Sequence, residues 1–276
     1  MYTLNCRGKL VVIDLPMVMG IINTTPDSFF ANSRKTQVEE AVATAMQMQK
    51  AGAAMVDIGG QSTRPGANWV GATEETDRVV PVIAAIAAAC PNLLISVDTF
   101  HAAVAEAAVQ AGAHIVNDVS GGHLDAEMLP TVGRLQVPYI CMHMKGTPGS
   151  MNQLAEYNNL LTDILDYFIE RLAACTAAGI NDIIIDPGFG FPKTTAHNFQ
   201  LLRQLEVLHT LQRPLLMGIS RKSTIYQTLG TTAAEALNGT TVLNTIGLQK
   251  GVHILRVHDV QEAVEAVKLV TAMQQA

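Results

Sequence analysis

Short apolar runs that end on a polar residue recur along the chain, each followed by a turn-prone loop and then by an alanine-rich stretch of helical period. VMGIIN ends at Asn23, LLISVD at Asp98, HIVND at Asn117 and Asp118, YICMH at His143, LLMGIS at Ser220 and ILRVH at His258. In Ile183–Phe191, IIIDPGFGF, three β-branched residues suit a strand buried on both faces, and Pro187 and Gly188 stop it at Asp186. Strands alternating with helices build right-handed βαβ units and a parallel sheet. About eight such units predict a (β/α)8 barrel of the TIM type, with its active site at the strand C-terminal ends. Every polar tip then faces one cavity.

Thr3–Cys6 and Lys9–Val12 flank Arg7-Gly8 and predict a short hairpin ahead of the barrel, placed to plug its N-terminal mouth. Helical periodicity is expected over Val38–Ala51, Thr73–Ala89, His101–Ala111, Glu156–Ala178, Ala196–Leu211 and Val260–Met273. A shorter helix is expected after Asp125, and helical material from ISRKST to Lys250. Two long loops, NTTPDSFFANSRK and GGQSTRPGANWVGA, carry no such pattern, which marks them as functional or mobile.

The 276 residues contain no Pro/Ser/Gly-rich or highly charged linker, so a single domain over 1–276 is expected. Hydrophobic residues at 49% supply an ample core, and aromatics at 5% make it aliphatic. A net charge of −6 gives no global field for nucleic acid or an anionic membrane, so an anionic ligand needs a local site. Cys6, Cys90, Cys141 and Cys175 form no metal-ligand spacing and read as free buried thiols. With no secretory leader and no unbroken apolar run near the ~18 residues of a membrane span, the expected location is the cytoplasm.

Asp98, Asn117, Asp186 and Lys222 all fall at or just beyond strand tips. One such acid alone is as well explained as a helix cap. Four together offer acceptors, an amide and a donor, which suits a flat heterocycle with a mixed hydrogen-bonding edge. In HILRVHD, Arg256 and His258 alternate to one face near the barrel mouth, beside Asn23 on the first strand. An arginine there is either an ion-pair partner or a bidentate phosphate ligand. Ser223 follows Lys222 at a helix start, either as its N-cap or as a place where a carboxylate or phosphate meets free N–H groups. The glycines of DPGFGF and DIGGQSTRPG match no phosphate-loop fingerprint.

MGIINTTPDSF, DIGGQSTRPGA, SVDTF, VNDVSGG, DPGFGF, GISRKS and RVHDV, taken in order, resemble the successive signatures of the dihydropteroate synthases, folate-pathway members of the pterin-binding barrel family. NTTPDSF and STRPGA carry the specific part; SVDTF and NDVSGG point only to the broader family. The resemblance implies condensation of 6-hydroxymethyl-7,8-dihydropterin pyrophosphate with p-aminobenzoate in a homodimer. It implies that Asp98, Asn117, Asp186 and Lys222 bind the pterin, and that Asn23, Arg256 and His258 hold the pyrophosphate, Asn23 also meeting Mg²⁺. Thr63, Arg64 and Pro65 with Phe191, Lys222 and Ser223 would form the p-aminobenzoate pocket. It also implies an ordinary sulfonamide site, because DPGFGFPK carries no insertion. The chain departs from the family at Gln61, where Glu is usual, and over Phe30–Lys35. The rival readings are a corrinoid-linked pterin methyltransferase, a class I aldolase using Lys222 as a Schiff-base nucleophile, and a non-catalytic pterin-binding protein.

Overall fold

The computed structural model describes residues 1–24, 31–61, 69–146 and 155–276, leaving aside the side chains of residues 31–35. Strands β1 (Tyr2–Cys6) and β2 (Lys9–Ile13) pair antiparallel as the expected hairpin, with Arg7 and Gly8 both at positive φ in its turn. Eight parallel strands follow: β3 (Met17–Asn23), β4 (Met55–Gly59), β5 (Leu94–Asp98), β6 (Ile115–Asp118), β7 (Tyr139–Met142), β8 (Ile183–Asp186), β9 (Leu216–Met217) and β10 (Ile254–Val257). They pair in the order β8-β7-β6-β5-β4-β3-β10-β9, and a bridge between Ile185 and Leu215 joins the two ends into a barrel. The (β/α)8 architecture expected from the alternation is therefore present.

The helices are α1 (Ala31–Ala51), α2 (Ala72–Ala89), α3 (Ala102–Ala111), α4 (Met128–Leu135), α5 (Leu160–Ala177), α6 (Thr195–Arg203), α7 (Ser223–Leu229), α8 (Leu237–Gln249) and α9 (Val260–Gln275). Their apolar faces and the outer faces of the strands form one mostly aliphatic layer that includes Val56, Ile95 and Val116 together with small residues such as Ala45 and Ala105. No helix among the described residues is long and apolar enough to cross a membrane.

Three helix boundaries differ from the periodicity. Helix α1 begins seven residues before Val38, because ANSRKTQ has no apolar stripe and so gives no 3.6-residue signal. Helix α5 begins at Leu160 rather than Glu156, since Asn159 caps it by accepting from the N–H groups of Leu161 and Thr162 at 3.2 Å each. The helix expected over Ala196–Leu211 is α6 followed by a 3-10 segment, Leu205–Leu211. Both pieces bury leucines, at 201, 202, 205 and 208, so the spacing suits one helix and conceals the tighter turn.

Alternation along the strands sorts the barrel interior into levels. The lowest is apolar: Met19, Met55, Leu94, Ile115, Ile140, Ile184, Leu216 and Ile254, one from each barrel strand, pack with Leu4, Cys6 and Ile13 of the hairpin, which closes that end. Two residues further along each strand the same face carries Asp57, Ser96, Asn117, Asp186 and Arg256, alongside Ile21, Met142 and Gly218. The polar level thus lies directly above a dry floor, towards the C-terminal ends of the strands.

Candidate active site

The polar level is knitted by charge. Arg256 donates through Nε to Asp57 Oδ2 at 2.6 Å and through a terminal nitrogen to Asp98 Oδ2 at 2.7 Å. Asn117 Nδ2 donates to the same Asp57 oxygen at 2.9 Å. A Cβ on Gly218 would stand 3.8 Å from Asp186 Oδ2 and 3.9 Å from Arg256, so these two side chains flank the same space. Asp186 Oδ1 accepts from the Gly188 N–H at 2.8 Å. Gly188 itself has φ +67, and a side chain there would collide with the His143 carbonyl, so the turn that presents Asp186 requires glycine.

Burial pushes Asp98 up to about 7, against the pull of Arg256 and with the like charges of Asp57, Asp118 and Asp186 adding to the rise. Burial likewise raises Asp186, opposed by Lys222 and the Gly188 N–H. It brings Lys222 down to about 8, with Asp186 resisting and Arg256 assisting. For Arg256 the carboxylates Asp57 and Asp98 more than reverse the effect of burial, so it stays a cation.

Beside this basin, Lys222 Nζ donates to the Phe189 carbonyl at 2.6 Å and lies 4.6 Å from the centre of the Phe191 ring. The N-cap of α7 is Lys222, and Ser223 is its first helical residue, one place later than a capping serine. Arg221, at φ 54, fixes the preceding turn by a two-point bond to Asp259 at 2.8 Å and 2.8 Å and by donating to the Ala233 carbonyl at 2.8 Å. Under the Pro187–Pro192 turn, buried Lys193 donates to the carbonyls of Gly188 at 3.0 Å and Phe191 at 2.6 Å and faces His143 Nδ1 at 2.9 Å. The strand-tip His143 is thus occupied by a lysine rather than turned to a ligand, and burial holds both groups towards their neutral forms.

Asn23 and His258 are exposed at the mouth, with Ser220 Oγ 3.0 Å from His258 Nδ1. A Cβ on Gly59 would stand 3.8 Å from both Asn23 Oδ1 and Asp98 Oδ2, so two oxygens converge there. No group of three or more His, Cys, Asp or Glu ligands occurs among the described residues. That donor set is too sparse for a closed metal site, and it suits Mg²⁺, which keeps most of its shell as water and phosphate oxygens. Thr63, Arg64 and Pro65 lie outside the described residues. At the two ends of their segment, Gln61 Oε1 accepts from the Val70 N–H at 3.2 Å, and Arg78 donates to the Gly60 carbonyl at 2.8 Å.

The structure therefore brings together Asp98, Asn117, Asp186, Lys222 and Arg256, with Phe191 and Ser223 alongside and Asn23 and His258 above. Sequence reasoning missed Asp57, Lys193 and Arg221. Asp57 was detectable, because two-residue alternation from Met55 places it on the inner face; nothing local distinguishes Lys193.

A parallel barrel with a carboxylate-rich basin at its C-terminal mouth, carrying these motifs, is the architecture of a pterin-binding enzyme. The model of that family, described as pterin binding enzyme, matches residues 19–258, and the chain belongs to the family. Within it the chain stands with the dihydropteroate synthases. It is 41% identical to dihydropteroate synthase of Escherichia coli strain K12 over 268 residues, covering 96% of this chain and 94% of that one. It is also similar to the crystal structure of the Yersinia pestis enzyme with a sulfonamide drug complex, with a TM-score of 0.93 and 42% identity over 100% of both chains. A third relative is the Xanthomonas albilineans enzyme with 4-aminobenzoic acid, with a TM-score of 0.91 and 41% identity over 99% of this chain and 98% of that one.

Proposed function

We propose that the chain joins 6-hydroxymethyl-7,8-dihydropterin pyrophosphate to p-aminobenzoate, giving 7,8-dihydropteroate and releasing pyrophosphate. The observation that carries this reading is the convergence of Asp98, Asn117, Asp186 and Lys222 on one basin, with Arg256 paired inside it. Carboxylates accept from ring N–H groups, and a lysine donates to a ring acceptor, so the basin matches the mixed edge of a pterin.

In this reading the C–O bond to pyrophosphate breaks and positive charge develops on the pterin. Asp98 and Asp186, already desolvated, stabilise that charge without reorganising. Arg256, His258 and Asn23 receive the departing pyrophosphate. Neutralising its charge is the chemistry Mg²⁺ supplies when bound, and Asn23 would hold the ion together with water and phosphate oxygens. Phe191, Lys222 and Ser223, with Thr63, Arg64 and Pro65, position the arylamine, whose nitrogen forms the new C–N bond and then sheds a proton to the departing pyrophosphate or to water. A general base is not required, because the nitrogen becomes strongly acidic once bonded to a cation.

The uninterrupted DPGFGFPK turn and the sulfonamide-bound relative support the same arylamine site taking sulfonamides in competition with p-aminobenzoate. All four cysteines are free and buried, which supports a reducing, cytoplasmic setting. Incubating the purified chain with both substrates and Mg²⁺ should yield equal amounts of pyrophosphate and dihydropteroate. Pterin binding without either product would leave a non-catalytic pterin-binding protein.

A further inference from the structure

Asp57 stands where strand architecture asks for no charge. It is the third residue of MVDIG, directly above Met55 on the inner face, and it is wholly buried between its register partners Ile21 and Ser96. Its Oδ2 serves two donors, Arg256 Nε at 2.6 Å and Asn117 Nδ2 at 2.9 Å, while its buried Oδ1 has no partner among the described residues. A carboxylate serving only the fold would have both oxygens satisfied, or would be replaced by an apolar residue like those one level below.

The pairing restricts both partners. An ionised carboxylate only accepts, so Asn117 must turn its NH2 towards Asp57, and its carbonyl oxygen is the end presented to a molecule bound alongside. The planar guanidinium of Arg256 is fixed at two points, on Asp57 and on Asp98.

We propose that Asp57 is the positioning residue of the basin: through one shared oxygen it sets which end of the Asn117 amide meets the ligand and how the Arg256 guanidinium is turned. The inference rests on the pterin reading and adds a specificity element to it. At Asn117 the basin accepts a hydrogen bond and donates none, so it takes a ring N–H there and rejects a bare ring nitrogen.

Asp57→Asn supplies an amide that both donates and accepts, so Asn117 is no longer held in one sense. Combining Asp57→Asn with Asn117→Asp places at 117 an acceptor whichever way it turns, with the amide at 57 donating back to it. The probe is 6-hydroxymethyl-7,8-dihydropterin, measured by calorimetry on variants whose folding is checked by thermal melting. The expected result is a folded D57N that binds at least about tenfold more weakly, with most of the loss recovered in the double variant. A folded D57N with unchanged affinity overturns the proposal, as does a weakened D57N that the double variant does not rescue. If D57N fails to fold, a double variant that folds and binds supports it, and one that also fails shows that Asp57 merely holds the barrel together. Failure of the wild-type chain to bind the pterin would remove the pterin reading itself, an outcome distinct from any failure confined to D57N.

Discussion

The Lys222 ammonium lies 4.6 Å from the centre of the Phe191 ring and donates to the Phe189 carbonyl at 2.6 Å. Ring and cation therefore form a wall at the edge of the basin, above the turn that Lys193 ties down. Such a wall suits an aryl group, which gains from a neighbouring ring and from a cation over a π face, each worth about 0.5–1.5 kcal/mol. Phe191→Ala should raise KM for p-aminobenzoate by about tenfold and leave pterin affinity within twofold. Steady-state kinetics with calorimetry of the pterin checks both, and equal losses would place Phe191 in the pterin site instead.

Pterin affinity should be greatest between about pH 7 and 8. Asp98, raised to about 7, takes up a proton below that value and loses its charge-assisted bonds to Arg256 and to the ring. Lys222, lowered to about 8, gives up its proton above that value and stops donating. Each limb should weaken binding by up to about tenfold per pH unit. Calorimetry across the range, repeated on Lys222→Met, should show the alkaline limb disappearing and the acid limb remaining.

The strand tips were legible because an apolar run of four or five residues ending on Asp, Asn or His can hardly be read another way. Asp98, Asn117 and Asp186 were found on that signal, and His143 by the same signal proved to be a partner of Lys193. Asp57 escaped it because it stands inside a run rather than at its end; alternation places it on the inner face, but its partners Asn117 and Arg256 lie 60 and 199 residues away in the chain. Arg221 was hidden for a related reason. Its partner Asp259 lies 38 residues on, and its left-handed φ belongs to the turn rather than to the residue type. Local patterns specify which face is buried; contacts between distant strands specify which polar groups meet.

Acid should destabilise the fold through the opposite end of the barrel. His253 Nδ1 accepts from the Leu215 N–H at 3.1 Å, and burial, with smaller contributions from His209 and the N-terminus, lowers the ring to about 4. His114 repeats the arrangement on the Ile95 N–H, and its pKa is also lowered by burial. The unfolded chain protonates these rings near the ordinary 6.5, so between about 6.5 and 4 it binds more protons than the folded one. Stability contributed by His253 is therefore complete above about pH 7 and lost as pH falls towards 4. Allowing for its partial exposure, that loss is about 1–2 kcal/mol. His253→Gln keeps an acceptor for Leu215 and should flatten this part of the profile, which denaturant midpoints at pH 7 and 4.5 would show as a smaller difference than in wild type.

Arg256 has two duties, and replacing it by alanine confounds them. Removal leaves Asp57 and Asp98 as desolvated carboxylates without their cation, a loss of about 3–5 kcal/mol that would fall on folding as much as on binding. The guanidinium has five N–H donors, and these carboxylates take two, on Nε and one terminal nitrogen. The other donors allow it to meet an incoming pyrophosphate without abandoning either carboxylate. Lysine keeps the charge and loses the fork, so Arg256→Lys should fold, retain one of the two ion pairs and bind the phosphate as a point charge only. The quantity to measure is the ratio of affinities for 6-hydroxymethyl-7,8-dihydropterin pyrophosphate and for 6-hydroxymethyl-7,8-dihydropterin, which cancels any general loosening of the basin. That ratio should fall by about 10- to 100-fold, on the order of 1.4–2.8 kcal/mol. A ratio unchanged from wild type would show that Arg256 serves the basin and its carboxylates alone, and that His258 and Asn23 hold the anion without it.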